Sequence, residues 1–354
     1  MVDKDLRIFI GPVEIANINA ILAGALRERG MRVTAVNCIT SPFFGGMKYD
    51  KVLDFRGLNR LQRIFRLFEY CRYMLKFFLQ HNTFIFLFGI SLLPCNLDLP
   101  ILKLFRKKTV MWFLGSDIRH YESVEAQVRK MGIKYRVSEA LKEKPAVLKR
   151  KLRMIRVVEK YVDHIISFPA ISQLLTRDYV GKEMASRIYL PLDVGNIIYK
   201  NVPHPRAVVV HAPSNPEIKG TPHVLKAVQQ LKGEGYDFEF CLFRNTSNTK
   251  VREMLPDADI AIDQLFATGP GMFALESMAA GCAVLGGNVP EFSDYPRELP
   301  VIHTDPDNVY RNLKMLLENP ELRRELGEKG RRYVEKYHDS RKIATDIIKL
   351  ITGG

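Results

Sequence analysis

The stretch that decides the fold is 258-ADIAIDQLFATGPGMFALESMAAGCAVLGG-287, which lies in the second half of the 354-residue chain. It opens with a short apolar run at 260–262 and continues through a glycine-containing loop. An apolar helical segment at 271–280 and a second apolar run at 283–285 follow. Short apolar runs on either side of a helix are typical of two buried parallel strands with a crossover between them. The stretch therefore predicts a βαβ unit of a doubly wound α/β sheet.

The same alternation continues in both directions and predicts two domains. Upstream, strands are predicted at 6–10, 32–36, 84–88, 109–113 and 163–167, and helices at 16–29, 56–79 and 139–163. Downstream, strands are predicted at 207–211 and 238–243, and helices at 222–233, 248–254, 306–317, 320–335 and 339–351. Two prolines within Val202–Pro205 indicate a stiff linker. We therefore expect domains at 1–200 and 205–335, with a C-terminal helix at 339–354 packing back on the first domain.

The composition predicts a globular protein, with 47% hydrophobic and 26% charged residues. The longest apolar run, 84–94, is shorter than the roughly 18–20 residues that a membrane span needs. No signal segment precedes the first strand, so we expect a cytoplasmic protein. The five cysteines and eight histidines form no CxxC, HxH or HExxH pattern. We therefore expect neither a disulfide framework nor a protein-bound metal.

The positive charge of the chain is concentrated in its first part. Residues 1–200 contain 34 Lys and Arg against 18 Asp and Glu, a net charge of +16, whereas the remaining residues contain 19 against 21 and carry −2. A basic half suits an anionic surface or ligand, and lipid head groups and nucleic acid both have that charge. A solvated basic surface without a partner is the alternative. Because no RNP-like or zinc-finger pattern occurs, we expect no nucleic-acid partner.

Residues 56–77 combine cationic and apolar side chains in one predicted helix. The cationic residues are Arg56, Arg60, Arg63, Arg66, Arg72 and Lys76, and large apolar residues stand between them. Two interpretations stay open for this segment. It could lie on an anionic membrane surface, or it could pack into the core and expose a solvated basic face. A second basic helix is predicted at 142–160.

One loop at a predicted strand end of the second domain carries a candidate phosphate ligand. Ligands of open parallel sheets bind at the carboxyl ends of the strands. In the loop 211–222, Thr221 and Pro222 suit the start of a helix, so Lys219 is expected beside a helix N-terminus. A lysine there can neutralise a diphosphate, because the helix amides already favour an anion. A surface lysine in a turn is the alternative.

Two further strand-end loops carry candidate ligand-binding residues. In 263–276, glycines allow close backbone approach, and the amides from Gly271 to Phe273 form a second anion site. Glu276 lies on the helix that follows, where its carboxylate can accept hydrogen bonds from both ribose hydroxyls, although a solvated glutamate is the alternative. The last loop, Gly286–Glu291, contains two glycines and one carboxylate, which a tight surface turn would also explain.

Taken in order, KGT (219–221), GPGMFALE (269–276) and GNVPE (287–291) resemble the C-terminal domain of family 4 glycosyltransferases, over roughly 205–300 of the chain. The resemblance implies an α/β protein of the GT-B fold, with two Rossmann-like doubly wound domains facing across a cleft. It also implies that Lys219 contacts the donor diphosphate and that Glu276 binds the ribose. The glycine-rich turn would hold the phosphate and the sugar through Gly269, Gly271, Met272 and Phe273.

The chain departs from the family pattern at two places in this domain. The family often has a glutamate eight residues before the ribose-binding one, where this chain has Thr268. It also often has an arginine shortly before the lysine, where this chain has Pro213-Ser-Asn-Pro216. Asp263, Ser214 and Asn215 are the candidate replacements.

The first domain resembles the family more loosely. Gly11 and Asn17 lie around the first predicted strand-to-helix turn, where the family places a loop near the acceptor. Residues 112–119, WFLGSDIR, resemble a strand-end motif whose two histidines are replaced here by Trp112 and Leu114. The acceptor-side candidates are Gly11, Asn17, Ser116, Asp117 and Arg119. For Asp117, a catalytic role and a helix-capping role both stay open.

The resemblance implies a retaining, metal-independent glycosyltransferase of the hexosyltransferase type, with Asp117 and Glu276 as catalytic candidates. The donor would be a nucleotide diphosphate sugar and the acceptor a lipid-linked or cell-surface glycan, and no cofactor is expected. The protein would act in the cytoplasm or peripherally at the inner face of the plasma membrane. A sugar-nucleotide epimerase of the same fold and a catalytically inactive relative stay open as alternatives.

Overall fold

A computed structural model describes residues 5–39, 47–134, 137, 141–171, 185–200 and 202–353, and these residues form two compact units. Of the described residues, those within 1–119, 144–191 and 340–354 belong to the first unit. Those within 120–143 and 192–339 belong to the second. Each unit is built around its own parallel sheet.

The first unit contains a sheet whose described strands pair in the order β3-β2-β1-β4-β5-β6-β7, all parallel. The strands are β1 (Arg7–Ile10), β2 (Arg32–Asn37), β3 (Lys51–Val52), β4 (Thr83–Leu87), β5 (Lys108–Trp112), β6 (His164–Ser167) and β7 (Ala185–Arg187). The helices are α1 (Ile18–Glu28), α2 (Arg60–Gln80), α3 (Leu99–Leu104), α5 (Pro145–Tyr161) and α12 (Ser340–Thr352). The last helix packs on α1, so the chain ends in the unit where it began. This strand order is that of doubly wound nucleotide-binding domains.

The second unit contains a smaller parallel sheet, ordered β12-β11-β10-β8-β9. Its strands are β8 (Val208–His211), β9 (Glu239–Leu242), β10 (Ile260–Ile262), β11 (Ala283–Gly286) and β12 (Val301–His303). Its helices are α4 (Tyr121–Lys130), α6 (Pro216–Lys219), α7 (Thr221–Gly233), α8 (Asn248–Met254), α9 (Met272–Ala280), α10 (Val309–Glu318) and α11 (Pro320–Tyr337). Fully buried Val209, Ile260 and Leu285 pack with Leu231 of α7 and Leu313 of α10. This core fixes β8 beside β10, so the loops that follow these two strands are neighbours.

The unit boundaries differ from those predicted in two places. Val202–Pro205 is not a free linker, because the His204 amide donates to Asp259 Oδ1 at 2.9 Å within the second unit. Residues 120–143, expected in the first domain, cluster with the second unit, where Lys134 Nζ lies 2.6 Å from Asp307 Oδ2. The chain therefore passes from the first unit to the second near residue 191 rather than at the two prolines, and it also crosses between the units near residues 119, 143 and 339.

Several short elements were not predicted, and several predicted helices have different bounds, among them the helix predicted at 56–79, which begins only at Arg60. The unpredicted elements are β3, β7, β12, α3, α4 and α6. The helix predicted at 16–29 begins only at Ile18, because Asn17 has a left-handed φ of 64°. The helix predicted at 139–163 is α5, while residues 135–136 and 138–140 lie outside the described residues.

Helix α2 packs only two of its apolar residues into the core. Of its 21 residues, only Met74 and Phe77 are buried. Leu61, Phe65 and Phe68 are 69%, 73% and 70% exposed. The interpretation of this segment as a core-packed helix therefore holds only for the side that carries Met74 and Phe77. No helix in the described part of the chain has both the length and the apolar character that crossing a membrane requires.

Candidate functional site

The loops after β8 and β10 are held together by a buried histidine. His211 ends β8 opposite Ile262 of β10. Its Nδ1 lies 2.7 Å from the carbonyl oxygen of Ile262, and its Nε2 lies 2.9 Å from Oγ1 of Thr221. A carbonyl only accepts, so Nδ1 carries the proton and Nε2 accepts from the threonine hydroxyl. Burial lowers the pKa of His211 to about 4, which keeps the ring neutral.

Lys219, at the end of α6 after β8, and Asp263, in the loop after β10, form a buried ion pair that joins these two segments. Lys219 Nζ donates to Asp263 Oδ1, and the two side chains are 12% and 1% exposed. The other carboxylate oxygen accepts from the Gly271 amide at 3.0 Å. Asp263 therefore fixes both the lysine and the start of α9, and the Gly271 amide is not free for an anion as predicted.

The N-terminus of α9 provides the remaining amides. Gly271 is the N-cap and has no side chain with which to cap the helix. The amides of Met272 and Phe273 consequently have no intrahelical partner. Gln264 Nε2 donates to the Gly269 carbonyl at 3.3 Å and holds the glycine turn in front of them. Because a helix N-terminus attracts negative charge, these amides suit a phosphate.

Glu276 lies buried on α9 and is held by two residues of α8. Asn248 Nδ2 donates to its two carboxylate oxygens at 3.2 and 3.0 Å. Arg252 Nε lies 3.9 Å from Glu276 Oε1. Burial raises the pKa of Glu276 to about 7, and the Arg252 charge acts in the opposite direction. Asp263 bonds both to Lys219 and to Gly271, the N-cap of the helix that carries Glu276, so the three ionisable groups belong to one site.

Two glycines of the site are required by close packing. A Cβ on Gly287 would lie 1.9 Å from the Ala267 carbonyl oxygen, well inside contact distance. A Cβ on Gly271 would lie 3.3 Å from Asp263 Oδ2 and from Gln264 Nε2. The loop after β11 therefore rests directly on the loop after β10 at Gly287, where no side chain fits, whereas a Cβ at Gly271 would be in tight contact with Asp263 and Gln264.

Comparisons with known proteins identify the fold. Residues 247–349 match the family model described as "Glycosyl transferase-like", a segment that includes Asn248, Asp263 and Glu276. No curated protein matches the chain in sequence. Similar solved structures include sucrose-phosphate synthase from Thermosynechococcus elongatus, with a TM-score of 0.68, 13% identity and 98% of each chain covered. Anabaena HepE in complex with UDP-glucose has a TM-score of 0.61 and 12% identity, over 98% of this chain and 99% of that one.

WaaG, a glycosyltransferase involved in lipopolysaccharide biosynthesis, has a TM-score of 0.59 and 14% identity, over 99% of this chain and all of that one (100%). The chain has the GT-B glycosyltransferase fold. The resemblance predicted from the sequence is thereby confirmed for the fold and for the transferase-like segment. At sequence identities this low, the similar structures show only the fold. The roles of individual residues must therefore be argued from their contacts in this structure.

Within the GT-B fold, the residues proposed as replacements for the missing family side chains have other partners. Asn215 caps α6, where its Oδ1 accepts from the amides of Glu217 at 3.0 Å and Ile218 at 3.2 Å. Ser214 is exposed beside it, and Thr268 is buried. Thr221 is not a helix cap as predicted, because Gly220 holds that position and the Thr221 hydroxyl bonds to His211.

Two residues that contact Glu276 were not predicted. Asn248 and Arg252 lie on α8, after β9, far from Glu276 in sequence and without a motif that connects them. The sheet order places β9 next to β8 at the edge, which brings α8 beside α9. Arg252 supplies a cation close to the site, where the usual family arginine is absent.

On the first unit, Asp117 is buried and bonded to its own loop. Its carboxylate accepts from the amides of Leu114 at 3.1 Å, Gly115 at 2.7 Å and Ile118 at 3.2 Å. Burial raises its pKa to about 6, although these amide hydrogen bonds favour the charged form. Asp117 therefore organises the turn after β5, which is a structural role, but it does not cap a helix as the alternative predicted, because His120 holds the N-cap position of α4.

The other acceptor-side candidates occupy the same edge of the first sheet without forming one cluster. Gly11 follows β1 and has a φ of +148°, and a Cβ there would lie 2.6 Å from the Val36 carbonyl oxygen. Asn17 is buried before α1, whereas Ser116 is exposed and Arg119 half-buried after β5. Because β4 lies between β1 and β5, the two groups are two strands apart. Trp112 is fully buried, so it fills the core in place of the family histidine.

The described residues contain no group of three or more His, Cys, Asp or Glu side chains arranged to hold a metal ion. Cationic side chains and backbone amides near the loops after β8 and β10 could bind the phosphate oxygens of a diphosphate. They comprise Lys219, Arg252 and the first amides of α9.

Proposed function

We propose that the chain is a glycosyltransferase of the hexosyltransferase type that uses a nucleotide diphosphate sugar as its donor. One observation carries the proposal. Lys219, Asp263 and Glu276 lie together at the carboxyl edge of the second sheet, beside the uncapped N-terminus of α9. A cation, free helix amides and a buried carboxylate at one edge suit a ligand that carries both phosphates and vicinal hydroxyls.

In this proposal the diphosphate binds between Lys219 and the amides of Met272 and Phe273. The ammonium group has three donors, and Asp263 occupies one of them, so two remain for phosphate oxygens. Asp263 also fixes the lysine side chain in advance, which lowers the entropy lost when the ligand binds. During transfer the same groups stabilise the charge that develops on the departing diphosphate.

Glu276 is assigned to the ribose of the donor. An ionised carboxylate can accept from both ribose hydroxyls, and Asn248 holds its two oxygens in a fixed orientation. The Arg252 cation favours the ionised form against the cost of burial. The role of Glu276 is therefore donor binding, rather than proton transfer at the sugar.

We further propose that transfer retains the anomeric configuration and needs no metal, as the family resemblance implies. Lys219 and the helix dipole of α9 supply the positive charge that a metal supplies in other transferases. Nuclear magnetic resonance of the purified product identifies its anomer. Activity that persists in EDTA supports the metal-independent route, and activity restored only by a divalent cation contradicts it.

The proposed acceptor is a lipid-linked or cell-surface glycan, met in the cytoplasm or at the inner face of the plasma membrane. The net charge of +16 on residues 1–200 supports an acceptor presented among anionic groups. WaaG, which shares the fold, is described as acting in lipopolysaccharide biosynthesis. The cysteines Cys38, Cys71, Cys95, Cys241 and Cys282 are free thiols, as suits a reducing compartment.

A product assay tests the proposal against the epimerase alternative. The full-length protein is incubated with UDP- and GDP-linked hexoses, with and without a membrane lipid extract as acceptor. A transferase releases nucleoside diphosphate and labels the lipid fraction with the sugar. An epimerase converts one nucleotide sugar into another without labelling any acceptor, and that outcome would overturn the proposal. Nucleotide binding without either product would identify an inactive relative.

A further inference from the structure

The outer side of α2 carries a continuous apolar stripe. Met74 and Phe77 mark the side of the helix that faces the first sheet. On the opposite side, large apolar residues recur three, four or seven positions apart, which aligns them along one face. They are Leu61 (69% exposed), Phe65 (73%), Phe68 (70%), Leu75 (61%) and Leu79 (66%). Single exposed apolar residues are ordinary, but a stripe along a whole helix indicates a surface that becomes covered.

The stripe continues onto α3. The Phe78 ring meets Phe105 edge to face, with 5.3 Å between the ring centroids. Beside this contact, Ile101 and Leu104 of α3 are 44% and 78% exposed, and Phe105 is 59% exposed. At the C-terminal end of α2, the exposed apolar surface therefore extends onto α3. We call the exposed apolar residues of α2 and α3 together the apolar stripe.

Cations border the apolar stripe on both sides. At 3.6 residues per turn, Arg60 projects from one flank of the stripe and Lys76 from the other, while Arg72 lies within the stripe, four positions after Phe68. The one acidic residue of α2, Glu69, is already paired with Lys51 at 2.7 Å and with Arg66 at 2.9 Å. Arg60 and Lys76, which border the stripe, are exposed and have no acidic residue three or four positions away on their own helix.

We propose that the apolar stripe is a docking surface for an anionic lipid bilayer, with α2 lying flat in the head-group region. Leucine and phenylalanine side chains would enter the acyl boundary, and the flanking cations would reach the head groups. A second copy of the chain fits this surface less well. Two apposed stripes would bring the bordering arginines and lysines of both copies together, and like charges repel. The proposal concerns α2 and α3 alone and does not depend on the donor site.

Vesicle flotation of the full-length protein tests the surface. The vesicles contain phosphatidylcholine alone or phosphatidylcholine with phosphatidylglycerol. Wild-type protein should float with the anionic vesicles, and binding should fall as salt is added, because salt screens the cations. Phe65→Ser and Phe68→Ser should each weaken binding by about tenfold or more, since each removes a side chain from the acyl boundary. Ile198→Ser, at a residue 68% exposed on the second unit, is the matched control and should leave binding unchanged.

A charge variant separates the two contributions. Arg60→Gln with Arg72→Gln should lower binding to anionic vesicles at low salt, whereas Lys329→Gln with Arg332→Gln on the second unit should not. The substituted residues are exposed, so circular dichroism and the melting temperature should match the wild type.

Three results would overturn the proposal. The first is failure of folded wild-type protein to float with anionic vesicles. The second is unchanged flotation of the Phe65→Ser, Phe68→Ser double variant. The third is a dimer in sedimentation that the same double variant dissociates in the absence of lipid, which would assign the stripe to a second copy. Because nucleotide binding is measured separately, none of these results bears on the donor-site assignment.

Discussion

Asp263 is the residue on which the geometry of the donor site depends. Its carboxylate holds Lys219 with one oxygen and the Gly271 amide with the other. Removing one member of a buried ion pair leaves the other charge uncompensated, which costs about 3–5 kcal/mol of stability. A test of Lys219 therefore needs the double variant Lys219→Ala, Asp263→Asn beside the single one. In the double variant, any loss of affinity reports the missing lysine rather than an unpaired aspartate.

The pKa of Glu276, raised to about 7, predicts a pH dependence of nucleotide binding. Ionised Glu276 accepts from both ribose hydroxyls, so affinity should increase as the pH rises through 7. The unfolding free energy should change in the opposite direction. A folded-state pKa above the model value of 4.5 means that folding takes up a proton, so stability falls as the pH rises from 4.5 to 7.

Calorimetric titrations with UDP between about pH 6 and pH 8 measure this effect. The phosphate of the ligand titrates near pH 6 as well, so Glu276→Gln is the control that keeps the ligand contribution. We expect weaker binding and a flatter profile in Glu276→Gln. Parallel profiles for the two proteins would contradict the ribose assignment.

Substitution of Asp117 distinguishes a structural role of this residue from a catalytic one. Its carboxylate bonds to amides of its own turn, so we expect Asp117→Asn to lower the unfolding free energy by about 1–3 kcal/mol. Turnover per folded molecule should be preserved. A catalytic role predicts a loss of turnover of roughly 10²-fold at unchanged stability. Melting temperature and activity, measured on the same preparation, distinguish the two roles.

At the scale of elements, His211 connects β8, β10 and the start of α7. Its ring bonds to Ile262 and Thr221 in a fully buried position. His211→Ala should lower the unfolding free energy by about 2–4 kcal/mol, because it leaves a buried carbonyl and a buried hydroxyl without partners. The histidine also predicts a pH dependence. Its folded pKa of about 4 lies below the model value of 6.5, so stability is full above 6.5 and is lost as the pH falls toward 4.

Thermal melts of wild type and His211→Ala between about pH 4 and pH 7 check this prediction. His223→Ala, at an exposed histidine on the same helix α7, is the matched control. The difference in melting temperature between wild type and His211→Ala should shrink toward pH 4. A difference that stays constant across this range would contradict the buried, neutral assignment.

The sequence predicts the long elements well because their apolar periodicity is unambiguous. The helices predicted at 222–233 and 320–335 are α7 (Thr221–Gly233) and α11 (Pro320–Tyr337), within two residues of the predicted bounds. Strands of two or three residues, such as β3 (Lys51–Val52) and β12 (Val301–His303), are too short to show a period. Helix α2 has apolar residues on both sides, so its pattern does not identify the side that packs on the sheet.

The donor site was only partly predictable for a related reason. Lys219 and Glu276 stand in recognisable local patterns. Their partners Asn248 and Arg252 come from a strand-end loop elsewhere in the second unit, and only the strand order shows that the two loops meet. The pairing of Asp263 with Lys219 likewise joins residues 44 positions apart, which no local motif encodes.

At the scale of the whole molecule, the positive charge and the proposed nucleotide-binding site lie in different parts of the chain. Residues 1–200 carry a net charge of +16 and include the apolar stripe, whereas the donor site lies in the nearly neutral remainder. Binding to an extended anionic surface should therefore depend steeply on salt. Binding of a nucleotide at a partly buried ion pair should depend on it much less.

The central claim is that the second unit holds a nucleoside diphosphate at Lys219 and the N-terminus of α9. Isothermal titration of the full-length protein with UDP, GDP and ADP tests it most directly, with Lys219→Ala, the Lys219→Ala, Asp263→Asn double variant and the exposed control Lys226→Ala in parallel. The account predicts that at least one nucleotide binds wild type and Lys226→Ala equally. Both Lys219 variants should bind it more weakly by about 1.5–3 kcal/mol, or roughly 10- to 150-fold. Equal affinity of wild type and both Lys219 variants, or no binding of any of the three nucleotides, would contradict it.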